Sequence, residues 1–330
     1  MYHRPRLIPC LLLSDGGLVK TVRFKDPNYL GDPLNAVKIF SEKCVDELCV
    51  QDIQASREGR GPDFALLEDL ASEAFMPLSY GGGVTTVEQA ARLFHIGFEK
   101  VILNTALIDR PELVRELADR FGSQSVVASI DVKLDRLRRY RCVVAGGTRP
   151  TGETPLALAQ RAQALGAGEV LLNSVDRDGM MQGYDLKLVR SVADGLTVPL
   201  IACGGARDAA DLGRVLHEGH AHAAAAGSLF VYFGPLKAVL INVPSEEELC
   251  RRAAVRPPMR FPTAWAFLLA KDRPHDFFRQ ALFLRPSVTI HSADIAAVYG
   301  IGALILILAV LLAAVTVVRL KPRMILSEME

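Results

Sequence analysis

Net charge is the first thing this sequence lacks. Its 38 Lys and Arg against 37 Asp and Glu leave a formal +1 over 330 residues. A nucleic-acid partner is recognised through a basic field, so this balance argues against one. There is also no C-x-x-C pair among the six cysteines, Cys10, Cys44, Cys49, Cys142, Cys203 and Cys250. No apolar leader follows Arg4, Pro5 and Arg6 beyond a short run. The thiols are therefore expected to be free, in a reducing compartment.

The third absence is local. From Ile295 to Val318 the chain carries no charge over 24 residues, and this run accounts for the high mean hydropathy of +0.22. As a helix it would span roughly 36 Å, against a hydrocarbon core of about 30 Å. A core helix of that length keeps a polar stripe, so a membrane anchor is the expectation. Arg319, Lys321 and Arg323 follow it and by charge alone would put the tail in the cytoplasm. The missing leader instead keeps the preceding domain in the cytoplasm, and the two signals disagree.

What is present, through about residue 250, is an alternation. Short apolar runs lie at Arg6 to Leu13, Glu47 to Ile53, Pro77 to Tyr80, Lys100 to Leu103, Ser125 to Val132, Glu169 to Asn173, Pro199 to Ala202 and Ala221 to Ala226. Most are separated by helical patterns, such as Phe64 to Ala74 and Pro111 to Phe121. Eight strands alternating with helices predict an α/β fold, a (β/α)₈ TIM barrel. The expected layout is a barrel over 1–250, a linker over 251–293, a transmembrane helix over 294–319 and a short polar tail over 320–330. Only residues 246–253 offer a last barrel helix.

The two halves of the barrel resemble each other. Strand three runs into Gly81-Gly82-Gly83 and strand seven into Cys203-Gly204-Gly205; strand four ends in Asn104-Thr105 and strand eight in Gly227-Ser228. Glycine lets backbone approach a ligand, and a helix N-terminus beyond it favours an anion. A half-barrel repeated at roughly 120 residues predicts two anion sites across one mouth, and so a substrate with a phosphate at each end. One site would use Gly82, Gly83, Asn104 and Thr105. The other would use Asp178, Gly204, Gly205, Gly227 and Ser228.

Asp131 ends strand five at the catalytic face of such a barrel, as a general acid or base or as a structural carboxylate. Asp176 and Asp178 follow strand six, with loop ordering the favoured role for Asp176. His217, His220 and His222 have the look of metal ligands, but fall on the face opposite the chemistry; no metal site and no cofactor are expected. Arg6, Glu47, Lys100 and Glu169 lie at strand starts and would converge at the other end of the axis, where buried charges must pair.

The runs DELCVQDI, YGGGV, VILNTALI, FGSQSVVASIDVK, GAGEVLLNSVDRDGMMQGYD and PLIACGGA resemble HisF, the cyclase subunit of imidazole glycerol phosphate synthase, over about residues 4 to 235. The resemblance implies a barrel that pairs with a HisH-like glutaminase. It would accept ammonia through a gate at Arg6, Glu47, Lys100 and Glu169, and would cleave and cyclise a ribulosyl bis-phosphate in histidine biosynthesis. It implies the phosphate roles given above, adds Gly179 to the second phosphate site, and implies a catalytic role for Asp131. One departure is large: the family has a second catalytic Asp in the first strand, where Leu12 stands here. Asn173 and Cys203 replace the family's Thr and Ser. GLVKTVRFKDPNYLGDP and LFVYFGPLKAVLINVPS look more like a divergent branch, found with surface-polysaccharide genes beside a sugar amidotransferase. Three readings stay open: an ammonia-conducting barrel for sugar amidination, a working cyclase, and an anchored scaffold that recruits a glutaminase.

Overall fold

A computed structural model describes residues 5–234, 236–249 and 252. The chain divides into two units, 1–258 and 259–330, and everything described belongs to the first. The apolar run from Ile295 to Val318 lies outside the described residues, as do most of the expected linker and the polar tail. Among the described residues no helix is long and apolar enough to cross a membrane.

Fourteen strands and eleven α-helical segments follow one another in the described chain. First come β1 (Arg6–Ser14), β2 (Gly17–Val22), β3 (Lys25–Gly31), α1 (Pro33–Glu42), β4 (Leu48–Asp52), α2 (Ala55–Glu58) and α3 (Phe64–Ser72). Next are β5 (Leu78–Gly81), α4 (Val87–Ile96), β6 (Lys100–Leu103), α5 (Ala106–Asp109), α6 (Glu112–Phe121), β7 (Val126–Leu134), β8 (Tyr140–Val144) and β9 (Arg149–Pro150). The last are α7 (Pro155–Ala164), β10 (Glu169–Ser174), α8 (Leu186–Ala193), β11 (Leu200–Cys203), α9 (Ala209–His217), β12 (Ala223–Ala226), α10 (Ser228–Val231), β13 (Tyr232–Phe233), β14 (Ala238–Val239) and α11 (Glu246–Glu248).

Eight of these strands close a parallel barrel in the order β1, β4, β5, β6, β7, β10, β11, β12 and back to β1. Each matches a run expected from sequence to within two residues at either end. Strands buried on both faces read as continuous apolar runs, which is why they are legible. The helices are as legible because their starts are capped. Asp32, Asp63, Thr86, Thr154, Asp185 and Asp208 each accept a first-turn N–H, satisfying donors that the helix itself leaves free.

Two pieces differ from the sequence reading. Residues 14–33, where no strand run is expected from the sequence, hold the β2–β3 hairpin, which extends β1. All but the last two residues of β3 are exposed, so it lacks the apolar alternation that marks a strand. Beyond Val132, β7 continues to Leu134 and pairs with the antiparallel β8. Of the expected 246–253 helix, Glu246–Glu248 is helical, and residues 250, 251 and 253 lie outside the described set.

Hydrophobic burial is divided between two layers. The larger joins helices to the outer face of the sheet, through Phe40, Leu70, Leu93 and Leu117 among others. The smaller fills the barrel bore, with Ile8, Ile102, Val127, Leu171 and Ile201 beneath Cys10 and Cys49.

Candidate functional site

At the carboxyl ends of the strands lies one cavity of about 370 Å³. All ten residues expected at the two anion sites line it, together with Asp131, Leu12, Asn173 and Cys203. Ligands of parallel barrels sit at this face because strands end there and loops begin.

Asp131 is buried on β7, in register with Asn173 of β10. Burial raises its carboxyl pKa to about 7, and the negative charge of Asp178 adds to the effect. Such an acid holds and releases a proton near neutrality, as a general acid or base must. Leu12 on β1 pairs with Gln51 of β4 and turns its isobutyl group into the same cavity. It neither donates nor accepts a proton. Asn173 Oδ1 is buried without a hydrogen-bond partner. Below them the Cys10 thiol is held protonated by hydrogen bonds with Cys203 and Cys49 and by its burial, which raise its pKa well above the usual thiol value.

Asp178, expected beside a phosphate, has both oxygens engaged by the hairpin. Lys20 Nζ donates to Oδ1 at 2.6 Å and Thr21 Oγ1 to Oδ2 at 2.8 Å. The backbone N–H of Arg23 also donates to its carbonyl at 3.0 Å. Here Asp178 anchors the hairpin over the cavity. Sequence reasoning missed Lys20 and Thr21; the signal was a lysine set among apolar residues in LVKTV, inside a stretch where no strand run is expected. Asp176 orders a loop, accepting from the Leu134 N–H at 2.7 Å.

The donors at the anion sites differ from the simplest expectation. The long helices following each glycine turn close their own ends. In α4, Thr86 accepts from the Gln89 N–H, while Gln89 Oε1 accepts from the Thr85 and Thr86 N–H groups. In α9, Asp208 accepts from the Asp211 N–H. The short helices α5 and α10, which begin at Thr105 and Gly227, carry no side-chain cap. In α5 the Leu107 and Ile108 N–H groups donate to the carbonyls of Asn104 and Thr105, and in α10 the Phe230 N–H donates to that of Gly227, so backbone turns close these starts where a side-chain cap is lacking. Ser228 Oγ, on α10, is buried with no partner. Asn104 is partly engaged, its Nδ2 donating to Ser129 O at 3.0 Å, and Thr105 Oγ1 accepts from the Ala145 N–H at 3.2 Å.

The glycines are needed for packing as well as for access. Gly83 has φ +66°, and a Cβ there would run into the carbonyl of Arg60. Gly204, at φ +92°, lies against Ser174 and the side chain of Asn173. Any side chain at either position would be strained and would displace the backbone of Arg60 in the one case and the end of β10 in the other.

At the opposite end of the bore four charged groups form a closed cycle. Arg6 donates to Glu47 at 2.7 Å and to Glu169 at 2.5 Å, and Lys100 donates to the same two carboxylates at 2.9 and 2.8 Å. Each residue stands at a strand start or one position before it, as expected. The histidines do not converge on a site. His220 pairs with Asp194 at 2.5 Å, and His222 Nδ1 accepts from the Leu200 N–H at 3.3 Å. Among the described residues no group of three or more His, Cys, Asp or Glu is arranged to hold a metal ion.

A closed parallel barrel with a doubled polar mouth at one end and a charged cycle at the other defines a class of small-molecule (β/α)₈ proteins built from two half-barrels. Within that class, the family model described as "Histidine biosynthesis protein" matches residues 6–237, and the chain belongs to this family. It is 50% identical over 246 residues to a Leptospira interrogans protein, covering 74% of this chain and 97% of that one. The relative's provisional name is imidazole glycerol phosphate synthase subunit HisF. A Pseudomonas aeruginosa protein provisionally named as subunit hisF2 is 49% identical over 74% of this chain and 98% of its own. A Vibrio vulnificus protein provisionally named as subunit hisF3 is 48% identical, covering 74% and 95%.

Proposed function

We propose that this chain is a HisF-type subunit of a glutamine amidotransferase system that passes ammonia onward for amidination of a surface-polysaccharide sugar, its own cyclase chemistry lost. A HisH-like glutaminase would dock at the end of the barrel that carries Arg6, Glu47, Lys100 and Glu169. Ammonia would pass that cycle and the apolar bore to reach the cavity, where a phosphorylated small molecule is held between the two anion sites. A sugar amidotransferase is the proposed acceptor. The barrel would work in the cytoplasm, anchored at the membrane where lipid-linked sugars are assembled, by residues 295–318.

The observation that carries this reading is Leu12 in the cavity with Asp131. Cyclisation of the bis-phosphate needs an acid and a base across the substrate, and here one of the two carboxylates is a hydrocarbon. The test is a cyclase assay of the full chain, with the bis-phosphate intermediate and an ammonium salt so that no glutaminase is needed. No turnover, with the bis-phosphate bound, is expected. Turnover of roughly 1 s⁻¹ or more would overturn the reading. Restoring the missing group by Leu12→Asp is expected to raise turnover by about 10²–10⁴, the usual worth of one acid or base.

A second reading, a working cyclase of histidine biosynthesis, is favoured by one feature: Asp131 titrates near 7, so it suits either proton role alone. The same assay separates the two readings.

A further inference from the structure

Four basic side chains line the cavity: Lys20, Arg57, Arg60 and Arg110. Three of them already have a carboxylate. Lys20 is paired with Asp178 at 2.6 Å, Arg60 with Asp52 at 2.8 Å and Glu58 at 2.6 Å, and Arg110 with Glu116 at 2.8 Å. Arg57 is the exception. Its Nη2 donates to the carbonyl of Gly146 at 2.6 Å, and among the described residues it makes no ion pair. Arg57 is exposed, so water solvates its charge, and the carbonyl satisfies one N–H without supplying a counter-charge.

Its position gives that charge a purpose. Arg57 lies on α2, and its neighbour Ser56 accepts the N–H of Gly83 at 3.2 Å, which ties the helix to the first-half glycine turn. Gly146 belongs to the turn between β8 and β9, where the preceding Ala145 N–H donates to Thr105 Oγ1. Arg57 therefore spans from the Gly83 turn to the turn resting on Thr105, across the first-half site. Gly146, at φ +63°, has no side chain to obstruct the guanidinium; a Cβ there would collide with it.

We propose that Arg57 is the charged ligand of the phosphate group at the first-half site, leaving the Gly146 carbonyl to pair with phosphate oxygens when a phosphate monoester enters. This rests on the reading of Gly82, Gly83, Asn104 and Thr105 as an anion seat. A guanidinium fork matches a phosphate in both charge and geometry, which a carbonyl does not. The two halves then bind by different means: the first by a full charge, the second by the Ser228 hydroxyl and backbone N–H groups.

Titration of the full chain with inorganic phosphate, followed by amide NMR, tests this site by site. Gly83 and Thr105 report on the first half, Gly205 and Ser228 on the second. Arg57→Ala is expected to weaken phosphate at the first half roughly ten- to hundredfold, the range for a charge-assisted hydrogen-bonded pair, and to leave the second half unchanged. Arg57→Lys should recover part of the loss. Arg57→Gln keeps an N–H donor for Gly146 without the charge, so it tests charge apart from folding and should fall as far as the alanine variant. Full first-half affinity in Arg57→Gln or Arg57→Ala would overturn the role of Arg57 and leave the anion seat standing. Absence of phosphate at both halves of the unaltered chain would overturn the seat and Arg57 together.

Discussion

The two ends of the barrel treat buried charge in opposite ways. At the strand starts, Arg6 and Lys100 face Glu47 and Glu169, and every member bonds to both partners of opposite sign. That end is neutral and closed. At the strand ends, Asp131 is buried without an ion pair among the described residues, and its nearest influential charge is another carboxylate, Asp178. That end leaves one buried carboxyl without a counter-charge among the described residues. A cycle of paired charges can stand for its own sake; a lone buried acid is a cost to stability that folding alone does not require, and such costs concentrate at functional sites.

The comparison is sharpest in its pH dependence. Asp131 has a folded pKa near 7 against about 3.9 for an unfolded aspartate. Below pH 4 both states are protonated and the group makes no difference. Between about pH 4 and 7 the folded state holds the proton more tightly, so stability falls as pH rises, by about 4 kcal/mol in all. Above 7 the penalty is constant. Asp131→Asn removes it. The variant is expected to be more stable than the unaltered chain at pH 8 and nearly equal to it at pH 4, measured by urea unfolding. A variant less stable than the parent at pH 8 would show that the carboxylate is paired after all.

The charged cycle should behave in the contrary sense. Glu47→Gln leaves Arg6 and Lys100 sharing Glu169 alone, and breaking a buried pair on one side typically costs about 3 kcal/mol. A lower urea midpoint at pH 7 for the variant than for the unaltered chain checks this. An unchanged midpoint would mean that water already enters the cycle and compensates the charges.

Ser228→Ala gives the smallest effect and the most specific one. Its hydroxyl is buried without a partner, and an unmet hydroxyl disfavours the folded state. Its removal should raise stability by up to about 1 kcal/mol while weakening phosphate at the second half. A thermal melt in the absence and presence of inorganic phosphate reads both signs at once. A fall in stability without phosphate would place an unseen partner on Ser228.

The legibility of this molecule followed the kind of contact involved. Strand β6 was readable to the residue as Lys100 to Leu103 because a strand buried on both faces consists of little but apolar side chains. The glycine turns at Gly82-Gly83 and Gly204-Gly205 were readable because a repeated turn leaves a repeated sequence. The hairpin β2–β3 was not readable. Its outer strand is exposed, and its inner strand is buried by the cavity and by Asp178, neither of which is local in the chain. The same reason hid Arg57, the one arginine of the short helix α2, whose isolation from any carboxylate among the described residues is a fact of three-dimensional placement.

The sequence by itself determined the barrel, the positions that line its mouth and the four charges at its base. These follow from periodicity, from glycine, and from residue identity at a known place in a strand. Only the tertiary structure decided how the charges are shared. Lys20 and Asp178 stand 158 positions apart, and that contact ties the aspartate to the hairpin. It likewise decided that side chains cap α4 and α9 while the short helices α5 and α10 have no side-chain cap. Hydrogen bonds and ion pairs are claimed by whichever partner arrives within about 3 Å, and chain order does not record which one that is.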